Sequence, residues 1–255
     1  MYKAALIGRD IGYTKSPEVH KAISDATGLD IEFTVRDVSS DGLKAEVERL
    51  KTEVDGFFVT KPYKTEIKKH LDFCETECGV NFVRTKDMRG FNTDGAGFMR
   101  ALDKSFPDWR DNVNAALVLG AGGAAYSVAE ALIKSGKKVY ILNRTLMNAV
   151  KLCKTVGAEI YLNQPAELIV NATSLGLNGE DALASLCVIP QFKYAYDLIY
   201  TPPETPFMRR NAMAGAATQN GADMLLYQAI EGDAIMTGQE LDVNDVFEKA
   251  KKLLG

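Results

Sequence analysis

Short apolar runs alternate along this chain with stretches in which apolar residues recur at helical spacing, and the alternation begins almost at once. Residues 4–7 read as a buried strand, 17–26 as a helix, 31–38 as a strand, 43–50 as a helix, 56–60 as a strand and 64–71 as a helix. Residues 80–83 and 89–92 read as a short hairpin bracketing Lys86, Asp87 and Met88. Strands followed by helices of this length imply a mainly parallel sheet with helices on both faces. A helical stripe at 95–102 then enters the polar stretch 105–112, the best candidate for a domain boundary. Strands follow from about residue 115, near Ile169 and over 195–199, then a proline-rich turn at 201–206 and two closing helices over 222–236 and 243–253. The pattern predicts an α/β chain of two domains.

One unit of this pattern carries chemistry. The apolar run 115–119 leads into Gly120, Ala121, Gly122, Gly123 and Ala124, and a helical stripe through Val128, Ala131 and Leu132 ends at Gly136. A dinucleotide fingerprint needs this context: Gly120 permits the tight turn, Gly122 lets backbone amides approach a pyrophosphate, and Ala125 holds the small position where helix and strand pack. NAD sites usually place an acidic residue after the second strand, where it binds the ribose 2′-hydroxyl. Here strand 139–142 ends in Asn143, Arg144 and Thr145. A guanidinium with a hydroxyl and an amide suits a 2′-phosphate, so the expected cofactor is NADP.

Composition narrows the remaining classes. The 255 residues are 46% hydrophobic and 25% charged with a net charge of −4, ordinary values for a globular protein and a poor match to a nucleic-acid binder. Cys74, Cys78, Cys153 and Cys187 are too scattered for a disulfide framework. Cys74 and Cys78 share one face if their segment is helical, but only His20 and His70 could join them at a metal, so no metal site is expected. No apolar run reaches the length of a membrane span and no signal-peptide core opens the chain. A reducing cytoplasm is the expected compartment, with small molecules as partners and no membrane or nucleic acid.

Outside the nucleotide unit, polar residues interrupt apolar runs at 13–17, at 60–64, at Asn81 and at 92–94. Each follows a strand-like run, and open α/β sheets place ligands at the C-terminal ends of their strands. A cleft between two domains would bring such residues against the nicotinamide and exclude water. Hydride transfer to a carbonyl leaves negative charge on oxygen, which a nearby group must protonate or absorb. Lys64 and Asp94 form a suitable pair. Taken singly, Lys64 also reads as a charge at a helix start, Asp94 as a cap, and Thr14 and Ser16 as capping hydroxyls ahead of Pro17.

Taken in order, these segments resemble the shikimate dehydrogenases. The resemblance rests on the segment from Gly8 to Pro17, Val59-Thr-Lys-Pro-Tyr-Lys64, Val80-Asn81, Asn92-Thr-Asp-Gly95, Asn171-Ala-Thr-Ser-Leu-Gly176, Asp197-Leu-Ile-Tyr200 with Thr205 and Pro206, and Gly221-Ala-Asp-Met-Leu-Leu-Tyr-Gln228, besides the glycine loop. It implies reversible NADP-dependent reduction of 3-dehydroshikimate to shikimate, a step toward aromatic amino acids, with Lys64 and Asp94 as the catalytic pair. Thr14, Ser16 and Tyr200 would hold the substrate carboxylate, and Thr60, Asn81, Asp94 and Gln228 the ring hydroxyls. Gly120, Gly122, Gly123, Ala124, Asn143, Arg144, Thr145, Thr173 and Gly221 would contact the cofactor.

The resemblance also implies that the closing helices return to the first domain. Residues 1–99 with 222–255 would then form the substrate domain and 100–221 a Rossmann-type NADP domain, in a monomer or homodimer. Four positions depart from the usual pattern: Thr14 for a common serine, Phe58 for an asparagine, Tyr13 for a histidine and Asn148 for a second arginine. They leave open a preference for quinate or an amino-substituted analogue. A chain that binds NADP without turnover, as a sensor, is the reading from another class. Gly95, Gly97, Gly215 and Gly221 are candidate hinges or plain turn residues.

Overall fold

The computed structural model describes residues 1–12, 14–77, 79–186 and 189–255. Contacts gather the chain into two compact units, Met1–Thr93 with Leu226–Gly255, and Asp94–Leu225.

In the first unit, strand β1 (Tyr2–Gly8) is flanked on both sides by parallel neighbours, β2 (Ile31–Asp37) and β3 (Gly56–Val59). That position explains its continuous apolar run from Ala4 to Ile7, all of it buried. Helix α1 (Ser16–Thr27) carries Pro17 in its first turn and ends at Gly28 in the left-handed region, whose N–H bonds to the Ser24 carbonyl at 2.9 Å. Helix α2 (Leu43–Glu53) buries Leu43, Val47 and Leu50, one stripe at helical spacing. The short strands β4 (Phe73–Cys74), β5 (Phe82–Arg84) and β6 (Arg89–Phe91) complete a six-stranded sheet ordered β2-β1-β3-β5-β6-β4. β5 and β6 pair antiparallel as the expected hairpin, so the sheet is parallel on one side and mixed on the other.

The helix expected at 64–71 is a turn followed by a single 3-10 segment, Glu66–His70. Tyr63 and Ile67 are both drawn into the core, and the chain must re-enter the sheet at Phe73. That leaves too little length for an α-helix. Cys74 stands on β4 rather than on a helix. Tyr13, Cys78 and Cys187 lie outside the described residues.

The second unit opens with α3 (Asp94–Ser105) and α4 (Trp109–Asn112). The polar stretch 105–112 therefore lies within this unit. Phe106 and Trp109 turn inward, Trp109 is fully buried, and its Nε1–H donates to Asp103 at 2.7 Å. Next come β7 (Ala115–Leu119), α5 (Gly123–Lys134), β8 (Lys138–Leu142), α6 (Leu146–Val156), β9 (Glu159–Ile160) and β10 (Leu168–Asn171). Strand β11 (Tyr194–Asp197), helix α7 (Pro206–Met213) and strand β12 (Ala217–Gln219) follow. The sheet is parallel throughout, in the order β12-β11-β10-β7-β8-β9. This is the doubly wound dinucleotide order, with its switch point between β7 and β10. Gly95 lets α3 settle on α5, since a Cβ there would lie 3.2 Å from the Ser127 carbonyl oxygen.

Two helices close the chain, α8 (Ala222–Thr237) and α9 (Val243–Leu254). α8 crosses the division between units at 225/226, and the chain from Leu226 onward belongs to the first unit, as the α/β architecture with returning helices requires. The expected ranges, 1–99 with 222–255 and 100–221, differ from this division by six residues at one crossing and four at the other. α9 starts with Asp242 accepting from the N–H groups of Asn244 and Asp245, both at 3.1 Å. It lies along α1, and its Phe247 stacks on Tyr227 with ring centroids 3.9 Å apart.

Candidate active site

In the first unit the polar residues gather where β1, β3 and the hairpin end. The loop after β1 is tied down by Asp37, whose carboxylate accepts from the N–H groups of Asp10 and Ile11 at 3.1 and 3.2 Å. It delivers Thr14 and Ser16 to the start of α1, their hydroxyl oxygens 2.9 Å apart, with the Ser16 N–H donating to Thr14 Oγ1 at 3.2 Å. Two hydroxyls beside a helix start favour an anionic group. At the end of β3, Thr60 bonds through its N–H to the Ile7 carbonyl at 2.9 Å, and its own carbonyl accepts from Tyr63 at 3.0 Å.

Asn81 is 2% exposed and anchors the next element of the site. Its backbone N–H donates to Phe91 at 3.0 Å and its carbonyl accepts from Val59 at 2.8 Å, which fixes it between β3 and β6. Its side-chain Nδ2 donates to Thr93 Oγ1 at 2.9 Å and to Gln228 Oε1 at 3.1 Å, while the Thr93 N–H returns a bond to Asn81 Oδ1 at 2.7 Å. Thr93 Oγ1 in turn donates to the Gln228 carbonyl at 2.9 Å. The two ends of the hairpin thus share one polar brace with a segment more than 130 residues further along the chain. With Oε1 accepting from Asn81, the Gln228 amide turns its Nε2 edge the other way.

Lys64 and Asp94 each stand one residue from this brace. The half-buried Lys64 accepts at its backbone carbonyl from Val80, the neighbour of Asn81, at 2.7 Å. Asp94 follows Thr93, is 5% exposed, and begins α3.

In the second unit the glycine loop sits at the switch point. Gly120 has φ 109, and a Cβ there would lie 2.9 Å from the Ala172 carbonyl oxygen, so only glycine fits. Its N–H bonds to the Leu142 carbonyl at 2.8 Å. Gly122 caps α5 and differs in kind: it is exposed, and a Cβ there would meet nothing within 4 Å. The protein itself therefore does not demand glycine at that position, whereas a phosphate resting on the helix start would. Gly123 and Ala124 form the first turn of α5, and Ala125 is buried as the small packing position. Asn143 Nδ2 bonds to the Thr145 carbonyl at 2.9 Å and shapes the turn after β8. Arg144 and Thr145 are exposed there, and Arg144 makes no ion pair or hydrogen bond with a described residue. These residues fit a phosphorylated dinucleotide.

A second buried network ties the ends of β10 and β11. Asn171 Nδ2 donates to Asp197 Oδ1 at 3.0 Å, the Ile199 N–H donates to the same oxygen at 3.0 Å, and Thr205 Oγ1 donates to Asp197 Oδ2 at 2.6 Å. Burial pushes the Asp197 carboxyl up to about 6 against the opposing pull of those bonds. Asn171 also receives Thr173, whose N–H and Oγ1 donate to Asn171 Oδ1 at 3.1 and 2.7 Å. Tyr200, half-buried, follows β11, and Gly221 packs directly on the Leu198 backbone.

Family models match this chain in two places: a shikimate dehydrogenase substrate-binding domain over residues 6–80, and a shikimate/quinate 5-dehydrogenase over 102–173. The shikimate dehydrogenase (NADP(+)) of Nitrosopumilus maritimus (strain SCM1) is 34% identical over 271 residues, which cover 98% of this chain and 97% of that one. The chain belongs to the shikimate dehydrogenase family. The solved shikimate dehydrogenase of Aquifex aeolicus matches with a TM-score of 0.87 at 31% identity, over 100% of this chain and 97% of its own. Shikimate 5-dehydrogenase of Thermus thermophilus, in complex with NADP(H) and shikimate, matches with a TM-score of 0.84 at 29% identity, over 99% and 100%.

Against this family fold, the expected residues fall into two local groups. Thr14, Ser16, Thr60, Lys64, Asn81 and Gln228 lie in the first unit, and the glycine loop, Asn143, Arg144, Thr145, Thr173, Tyr200 and Gly221 in the second, which Asp94 opens. Sequence reasoning passed over Asp37, Thr93 and Asp197, the residues that hold these groups in place. Thr93 and Asp197 lie inside recognised motifs, but their bonds reach partners that spacing alone does not reveal. Phe58 is 3% exposed and its ring packs on Phe82, so it belongs to the core beneath the site.

Proposed function

We propose that this chain catalyses the reversible, NADP-dependent reduction of 3-dehydroshikimate to shikimate, in aromatic amino-acid biosynthesis. The observation that carries the reading is the Asn81–Gln228 hydrogen bond, 3.1 Å across 147 residues of sequence, which joins two family motifs into one buried polar site. Family membership and the solved relative in complex with NADP(H) and shikimate support the same substrate and cofactor.

Thr14 and Ser16, with Tyr200, take the carboxylate; Thr60, Asn81, Asp94 and Gln228 take the ring hydroxyls. Apart from Asp94 these are neutral groups around an acid and several hydroxyls, so the site selects by hydrogen-bond pattern more than by charge. Gly120, Gly122, Gly123, Ala124, Asn143, Arg144, Thr145, Thr173 and Gly221 hold NADP, which supplies the hydride when bound. Lys64 gives a proton to the oxygen that becomes the new hydroxyl and recovers it in the reverse direction. Asp94 orients that ammonium and accepts from the adjacent ring hydroxyl. The enzyme works on small molecules in the cytoplasm, as a monomer or homodimer; the free thiols of Cys74 and Cys153 suit a reducing compartment.

The test is shikimate-dependent NADP reduction, followed at the nicotinamide absorbance, with quinate and NAD run alongside. Lys64→Ala is expected to lower kcat by about 10²- to 10⁴-fold with NADP affinity intact. A wild-type kcat in that variant would remove Lys64 from the mechanism, and an inert wild-type chain would refute the reaction.

A further inference from the structure

We propose that the buried His20–Asp233 pair is a positioning element for the substrate site of the first unit, holding α1 and α8 at the separation a bound ring acid requires. The proposal rests on the function proposed above. His20 Nδ1 lies 2.8 Å from Asp233 Oδ2, with the two residues 1% and 0% exposed, and neither takes part in the chemistry.

Their places in the fold give the pair its role. His20 follows Ser16 by four residues on α1, and Asp233 follows Gln228 by five on α8. At a helical rise of about 1.5 Å per residue, the pair sits about 6 to 8 Å along each helix from the residue that faces substrate. It therefore links the helix carrying the carboxylate hydroxyls to the helix carrying the hydroxyl-binding amide.

The ring contacts of His20 among the described residues are with apolar side chains. The His20 ring stacks on Phe33 at 3.9 Å and meets Phe58 at 4.6 Å, and Phe58 meets Phe82 at 4.9 Å. Apolar contacts of this sort are non-directional, while a short bond to a carboxylate fixes both distance and angle. Next to Asp233, Gly232 seats α8 on the sheet, because a Cβ there would strike the Phe58 ring. Gly232 thus fixes α8 against β3, and the pair fixes α1 against α8.

Stability alone does not account for the pair. Asp233 Oδ1 is buried and has no hydrogen-bond partner among the described residues. Replacing both members of a buried hydrogen-bonded pair by apolar groups of similar shape is often neutral or stabilising. The double variant His20→Phe/Asp233→Leu keeps the ring stack and removes the bond, so it separates geometry from stability.

Steady-state kinetics with shikimate and NADP, together with Tm, read the outcome. The double variant should keep or exceed the wild-type Tm, raise KM for shikimate about tenfold, and change kcat and KM for NADP less than about twofold. Asp233→Asn, which keeps an oxygen acceptor in place, should restore KM for shikimate toward the wild-type value. If the double variant does not fold, Asp233→Leu alone removes the bond while His20 keeps its ring stack, and gives the same comparison. An unchanged KM for shikimate would overturn the positioning role, as would both KM values rising together with a fall in Tm. A wild-type chain inert toward shikimate would overturn the functional reading and this one with it.

Discussion

At the end of β8 the backbone turns through Asn143, which bonds back to the Thr145 carbonyl, and the turn leaves the Arg144 guanidinium exposed. Asn148, one turn into α6, carries no charge to share the task. The 2′-phosphate of NADP would then be gripped by one cation and the Thr145 hydroxyl. A charge-assisted hydrogen bond of this kind contributes about 1.5–3 kcal/mol. Arg144→Ala should therefore raise KM for NADP by about 10- to 100-fold and leave KM for NAD nearly unchanged. Equal losses with both cofactors would assign the residue to the fold of the turn instead. Asn81 shows a different economy: with both Nδ2 hydrogens engaged inside the protein, it orients Gln228 and Thr93 besides making the ring-hydroxyl contact proposed for it.

At the scale of elements, the ends of β10 and β11 are joined by a carboxyl that burial has made unusually weak as an acid. Asp197 titrates at about 6 in the folded chain against an ordinary 3.8. The folded state therefore holds its proton over a range in which the unfolded chain has lost it. Stability falls as pH rises through that window, from about pH 4 to about pH 6, and the loss, about 3 kcal/mol, is complete above it. Asp197→Asn has no proton to lose, and its amide can still accept from Asn171 and Ile199 and donate to Thr205. The stability difference between variant and wild type, from urea midpoints, should grow in favour of the variant between about pH 4 and pH 7. A constant difference would mean that Asp197 titrates alike folded and unfolded.

Across the whole molecule, the first unit is assembled from two distant pieces of chain, and the later piece supplies Gln228, Asp233 and the α9 brace. Phe247 anchors that piece: it is fully buried, stacks on Tyr227, and lies on the helix that runs along α1. Phe247→Ala should cost about 3–5 kcal/mol. Backbone hydrogen exchange should show the loss in α1 and in β2, the strand it packs on; unchanged protection there would show that α9 is dispensable to the unit. The alternation of apolar runs announced most of this architecture, and the strand-glycine-helix run at 115–134 placed the nucleotide fold. Short edge strands such as β4, β9 and β12 escaped notice, because a two- or three-residue strand has no period to detect. The stretch 105–112 looked like a linker because its charges outnumber its apolar residues, although Phe106 and Trp109 bind it into the second unit.

Local pattern sufficed for the α/β class and the glycine loop, since each depends on neighbours along the chain, whereas Lys64 and Asp94 stood out as a pair only through the order of motifs that resembles the family. Tertiary structure alone decided which distant groups meet: Asn81 with Gln228, Asn171 with Asp197, His20 with Asp233. A hydrogen bond across the core depends on where the folded backbone brings two side chains, and sequence separation carries no record of that distance.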